Sequence, residues 1–208
     1  MKEQQVSFMS DAHKLEGLIR DMPGDKGVVV THPHSLYGGN MHNNVVESLI
    51  SVYQQMGYST LRFNFRGVGG SQGEYDQGRG EQEDVKSALQ YLFENGKEAV
   101  DLAGYSFGAW VNGLAGLKEN AFQRMIMVSP PVAFLDFDSM LPTPKLELVI
   151  AGSQDQIAPV ALIEAILPKW NPLARLEVID GADHFYLGYT GQLEDIVADY
   201  LAASGALD

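Results

Sequence analysis

Apolar positions along the chain form two alternating kinds of run. Short aliphatic or β-branched runs centre near Val28, Leu61, Val100, Met125, Leu146 and Leu176. Continuous runs of this length, bounded by turn residues, are the pattern of strands buried on both faces of a parallel sheet. Between them the apolar positions recur every three or four residues. Asn44 to Met56 does so through Val45, Leu49, Val52, Tyr53 and Met56. Glu81 to Glu94 does so through Val85, Ala88, Leu89 and Leu92, with Glu81, Glu83 and Asp84 favourable near a helix N-terminus. Ala158 to Leu167 carries Leu162, Ile163 and Ile166, and Leu193 to Leu201 carries Ile196, Val197 and Tyr200. Val6 to Phe8 and Leu15 to Arg20 predict a hairpin at one edge. Repeated strand–helix units imply an α/β fold, a mostly parallel sheet with helices on both faces. No repeat, low-complexity tract or linker interrupts the pattern, so residues 1–208 are expected to form a single domain.

Composition narrows the function classes. Apolar residues at 45% and charged residues at 20% fit an ordinary globule. The absence of cysteine removes disulfides, thiol chemistry and thiolate metal sites. Met1 to Val6 lacks the apolar core of a secretory signal. No run approaches the roughly 18 apolar residues of a membrane span. These features predict a cytoplasmic protein with no membrane partner. A formal net charge of −13 opposes binding to a phosphate backbone, so no nucleic-acid partner is expected. Composition carries no signal for oligomeric state.

The sharpest chemical signal is Gly104-Tyr105-Ser106-Phe107-Gly108, set between the apolar run Ala99–Ala103 and the small-residue segment from Ala109. Strand, G-x-S-x-G, helix is the context of a nucleophile elbow, which pushes the serine hydroxyl out above a sheet. The glycines avoid Cβ clashes where strand and helix backbones come close. Two later strand-like runs end in candidate partners. Leu146–Ile150 leads to Asp155, and Arg175–Ile179 leads to Asp180, Asp183 and His184. A serine hydroxyl needs a base, which histidine supplies, and a carboxylate to orient that base. Asp155 is favoured as the acid over Asp180 and Asp183. Asp183 adjoins His184, and neighbouring side chains on an extended segment point apart.

A second constellation follows the first parallel strand. Val28–Thr31 runs into His32-Pro33-His34-Ser35-Leu36-Tyr37-Gly38-Gly39. An oxyanion hole in this context uses the backbone N–H after the nucleophile, here Phe107, plus one from this loop. Pro33 has no N–H, which leaves His34 or Ser35. His-x-His also reads as a metal pair. No further histidine cluster completes a ligand set, and the chain is shorter than the roughly 250 residues of a typical metal-binding barrel. No metal is therefore expected.

The chain resembles the α/β-hydrolase superfamily, in particular its small bacterial esterase-like (dienelactone hydrolase-like) branch. The resemblance rests on HPHSLYGGNMHNNVV from His32, LRFNFRGVGGSQGEYDQGRGEQED from Leu61, GYSFGA from Gly104, AGSQDQIAP from Ala151 and GADHF from Gly181. It implies a serine hydrolase without cofactor, with Ser106 as nucleophile, Asp155 as acid and His184 as base. Many relatives have Asp where this chain has Asn64, a position that is usually structural.

Only residues 129–144 separate the strands near Met125 and Leu146, too few for a helical cap, so no cap domain and an open site are expected. Ser35, Leu36, Tyr37, Tyr75, Phe134 and Tyr186 are candidate substrate contacts. Arg66 reads equally as an anion anchor or as a structural ion-pair centre. The expected activity is cleavage of small carboxylic esters with short acyl chains, through an acyl-enzyme. Thioesterase and peptidase share the machinery, and a catalytically silent binding scaffold is the non-enzyme alternative.

Overall fold

The computed structural model of the protein describes residues 2–116 and 121–205. β1 (Gln4–Ser10) and β2 (His13–Arg20) form an antiparallel hairpin, and β2 pairs antiparallel with β4 (Ser59–Phe63). β3 (Lys26–Thr31), β5 (Ala99–Tyr105), β6 (Met125–Val128), β7 (Leu146–Gly152) and β8 (Arg175–Ile179) continue the sheet in parallel. Among the described residues the eight strands lie in the order β1-β2-β4-β3-β5-β6-β7-β8.

Period-two alternation sorts each buried strand's side chains between two cores. Val28 and Val30 pack on one side with α1 (Asn44–Gln55) and α5 (Thr190–Gly205). Val29 packs on the other with α2 (Arg79–Glu94), α3 (Phe107–Leu114) and α4 (Val160–Trp170). This is why those strands read as unbroken apolar runs. The chain leaves β3 for its neighbour β4 and then crosses to β5 on the other side. That reversal opens a crevice at the carboxyl ends of β3 and β5, the place where open α/β sheets bind ligands.

The fold is that of an α/β hydrolase without a cap: residues 129–145, between β6 and β7, contain no helix. The sequence periodicity stops α4 at Leu167, before Pro168, but the helix runs on to Trp170. Proline cannot donate the backbone bond. Burial of the Trp170 ring, 4.9 Å from Phe137, offsets that loss.

Candidate active site

The elbow is built by two steric exclusions. A Cβ on Gly104 would stand 2.7 Å from the Ala109 nitrogen, and one on Gly108 would stand 2.7 Å from the Thr31 carbonyl oxygen. Both positions must therefore be glycine for α3 to start this close to β3 and β5. Between them Ser106 takes φ 54° and ψ −118°, a conformation that costs a non-glycine residue about 1–3 kcal/mol. Its N–H donates to Val128 O at 2.9 Å and its carbonyl accepts from Trp110 N at 3.2 Å, which hold the strain in place.

Ser106 Oγ lies 2.9 Å from His184 Nε2, and His184 Nδ1 lies 2.8 Å from Asp155 Oδ2. With the Nδ1 proton donated to the carboxylate, Nε2 keeps a lone pair for the serine hydroxyl. Asp155 Oδ1 accepts the N–H groups of Ile157 and Ala158, each at 2.8 Å. Burial alone would raise the Asp155 carboxyl. The His184 bond and charge, the Ala158 N–H and the Ser129 hydroxyl hold it below the usual carboxylate range. The other two aspartates are engaged elsewhere. Asp180 accepts the Ser153 hydroxyl at 3.0 Å, and Asp183 accepts the Phe185 N–H at 2.9 Å. The histidine loop is pinned from below by the Tyr105 hydroxyl, which donates to His184 O at 2.6 Å.

Phe107 begins α3, so its N–H has no acceptor within the helix and sits at the positive end of the dipole. Among the described residues, the N–H groups of Phe107, His34 and Ser35 have no hydrogen-bond acceptor. The His34 ring packs 4.6 Å from Phe107. Its Nδ1 accepts the Leu36 N–H at 3.2 Å, which puts the proton on Nε2, 3.3 Å from Tyr75 Oη. Burial pushes this imidazole down, toward the neutral form.

His32 is a structural group. It is fully buried, its Nδ1 donates to Pro33 O at 2.6 Å and its Nε2 accepts the Phe65 N–H at 3.0 Å. Both nitrogens are occupied by backbone, so no lone pair remains for a metal. Burial lowers its pKa to about 4. Arg66 is likewise structural. Its guanidinium makes a two-pronged contact with the fully buried Asp84, the shortest 2.7 Å.

The candidate substrate contacts divide. Leu36, Tyr37 and Phe134 are exposed at the carboxyl edge of the sheet, and Tyr75 is half-buried beside His34. Ser35 Oγ is buried and has no partner among the described residues. Tyr186 does not line the cleft. It is fully buried, and its hydroxyl lies 2.7 Å from Ser129 Oγ. Its backbone takes φ 55°, which turns the ring back into the core between sheet and α5, a reversal no side-chain pattern announces.

Two roles, and one exposed apolar pair, were not read from the sequence. Tyr105 is the variable position of the elbow motif, and its clamp on the histidine loop is a long-range contact. Ser129, at φ 45°, stands beneath Asp155 and Tyr186. Phe185 and Leu187 are exposed apolar residues flanking the His184 loop, and the apolar character of Phe185 beside the histidine was the available signal.

No family model matches this chain. The curated uncharacterized protein RP471 of Rickettsia prowazekii is 33% identical over 209 residues, covering 95% of this chain and 88% of the relative. The structure of an α/β serine hydrolase homologue from Coxiella burnetii superposes with a TM-score of 0.87 at 32% identity, over 97% of this chain and 98% of the other. The structure of XC6422 from Xanthomonas campestris, an α/β serine hydrolase without lid, superposes with a TM-score of 0.85 at 28% identity, over 94% of this chain and 91% of that one.

Proposed function

The chain belongs to the α/β-hydrolase superfamily, and we propose that it is a single-domain serine hydrolase that cleaves small carboxylic esters. The observation that carries this reading is the unbroken hydrogen-bonded series Ser106–His184–Asp155, at 2.9 and 2.8 Å. Each of these residues is at least nine-tenths buried, so water competes little for these contacts.

In this reading Ser106 Oγ attacks the ester carbonyl carbon as His184 Nε2 takes its proton. Asp155, ionised and fixed by two backbone N–H groups, stabilises the imidazolium. The carbonyl oxygen becomes an oxyanion held by the N–H groups of Phe107 and His34. Collapse of the tetrahedral adduct breaks the bond to the alcohol oxygen, which leaves with the proton from His184. Water, deprotonated by the same nitrogen, attacks the acyl-enzyme and releases the acid. Proton and charge balance across the two steps, using side-chain and backbone groups alone. Leu36, Tyr37, Tyr75 and Phe134 supply apolar surface around the mouth. With no cap between β6 and β7 they wall an open cleft rather than a tunnel.

The test is labelling with a fluorophosphonate probe, followed by turnover measurements on a panel of nitrophenyl esters. Stoichiometric label at Ser106 and turnover of the short esters support the reading. A chain that neither labels nor turns over any ester, thioester or peptide is a silent scaffold.

A further inference from the structure

β8 ends one side of the sheet, and among the described residues it pairs with β7 alone. The Ile179 carbonyl accepts the Ser153 N–H at 3.0 Å, so Ile179 turns its backbone groups toward β7. Strand alternation makes Glu177 and Arg175 do the same, and turns the N–H and C=O of Leu176 and Val178 outward. Sheet edges are ordinarily blunted by charged side chains, Pro or a bulge. The segment Ala174 to Ile179 contains no Lys or Pro, and its two charges, Arg175 and Glu177, pair with each other within the chain at 2.5 Å. Apolar side chains on and next to it lie in the open: Leu173 is 88% exposed and Val178 is 42% exposed.

We propose that this edge is a dimer interface, on which β8 of a second copy pairs antiparallel about a two-fold axis through Leu176. Two independent features select this register. The residue on such an axis must offer both backbone groups outward, which by strand alternation Ala174, Leu176 and Val178 do and Arg175 and Glu177 do not. Of these three, an axis at Ala174 would face Arg175 with Leu173 and one at Val178 would face Glu177 with Ile179, leaving Leu176 as the one that faces opposite charges. The axis at Leu176 also sets Arg175 of each copy opposite Glu177 of the other. An axis at Arg175 would oppose two arginines, and one at Glu177 two glutamates, both unfavourable in directly facing positions. The same register sets Leu176 against its own copy and Ala174 against Val178, on the face that carries α4. The surface is thus self-complementary, as an isologous contact requires. Each chain carries a net charge of −13, so two copies repel at long range. The backbone bonds, the facing ion pairs and the apolar strip act at short range and carry the association.

The test is solution mass by sedimentation across micromolar concentrations, on the whole chain and three variants. The parent is expected to approach twice 22.8 kDa. Arg175→Glu and Glu177→Arg, each alone, face like charges across the axis and weaken the dimer by at least tenfold. The double exchange Arg175→Glu/Glu177→Arg restores facing opposite charges and regains the dimer. Circular dichroism of each variant shows that the monomers remain folded. Because the chain has no cysteine, Leu176→Cys gives a unique thiol pair, about 5.5 Å apart between Cα atoms, that a short bis-maleimide joins. A parent that is monomeric at all these concentrations overturns the proposal and leaves the edge to a strand of another protein. A dimer insensitive to both single reversals, or a Leu176→Cys chain that resists cross-linking, overturns it as well.

Discussion

Asn64 Nδ2 donates to Glu16 Oε1 at 2.6 Å, joining the end of β4 to β2 beneath the carboxyl edge of the sheet. Asn64 Oδ1 accepts the Met41 N–H at 2.8 Å, and the same Glu16 oxygen accepts the Gly70 N–H at 2.6 Å. The amide and the carboxylate are therefore a matched pair. Asparagine suits this position because its amide offers Glu16 a donor while its oxygen takes the Met41 N–H.

Asn64→Asp places a second carboxylate against Glu16 and removes the donor. With Asn64 only 3% exposed, the variant should lose about 1–3 kcal/mol of stability. Adding Glu16→Gln should recover most of the loss. Thermal unfolding of the two variants checks both statements. An Asn64→Asp chain as stable as the parent would show that the pair is not coupled.

Ser106→Ala should remove ester turnover by several orders of magnitude in kcat, because the groups of such a series act as a unit. Ser106→Gly should be equally inactive yet more stable than the alanine variant by about 1 kcal/mol, since glycine relaxes a positive φ at no steric cost. Unfolding midpoints of the two inactive variants separate nucleophile from strain. Near-parental turnover in either would remove Ser106 from the chemistry.

Stability should fall as pH drops from 6.5 to about 4 through His32. Its ordinary pKa of 6.5 is lowered to about 4 by burial, so in that window the unfolded chain binds a proton that the folded chain does not. Stability then rises with pH across the window. The full difference, about 3 kcal/mol, is present above pH 6.5 and lost as pH falls through the folded value. His32→Gln keeps an acceptor for the Phe65 N–H without a titrating group, and should flatten this part of the profile. An unchanged acid slope in that variant would assign the transition elsewhere.

Tyr186→Phe should cost about 1 kcal/mol, the net value of its hydroxyl bond to Ser129. KM for a short ester should stay at the parental value, because the ring never reaches the cleft. A several-fold rise in KM without loss of stability would return Tyr186 to the substrate.

Short acyl esters should show the highest kcat/KM. Each buried CH₂ contributes about 0.8 kcal/mol, and an open cleft without a cap covers few of them. Nitrophenyl esters from acetate to palmitate give the profile. A maximum near palmitate would reveal a deep acyl tunnel.

Much of this protein was legible in one dimension. Local periodicity placed all eight strands and the main helices, because a strand covered on both faces must be apolar throughout and a surface helix must repeat every three to four residues. The motif glycines, and the positions of Ser106, Asp155 and His184 after successive strands, were readable for a related reason. A parallel sheet delivers every strand's carboxyl end to the same edge. Only the tertiary structure decided the rest, because it depends on contacts between residues far apart in the chain or on backbone reversals without a side-chain signature. It gave Asp155 to His184 and turned Asp180 and Asp183 away. It buried His32 between two backbone groups and tied Arg66 to Asp84. Through a single positive φ it folded Tyr186 into the core, although its neighbour Phe185 stays in the open.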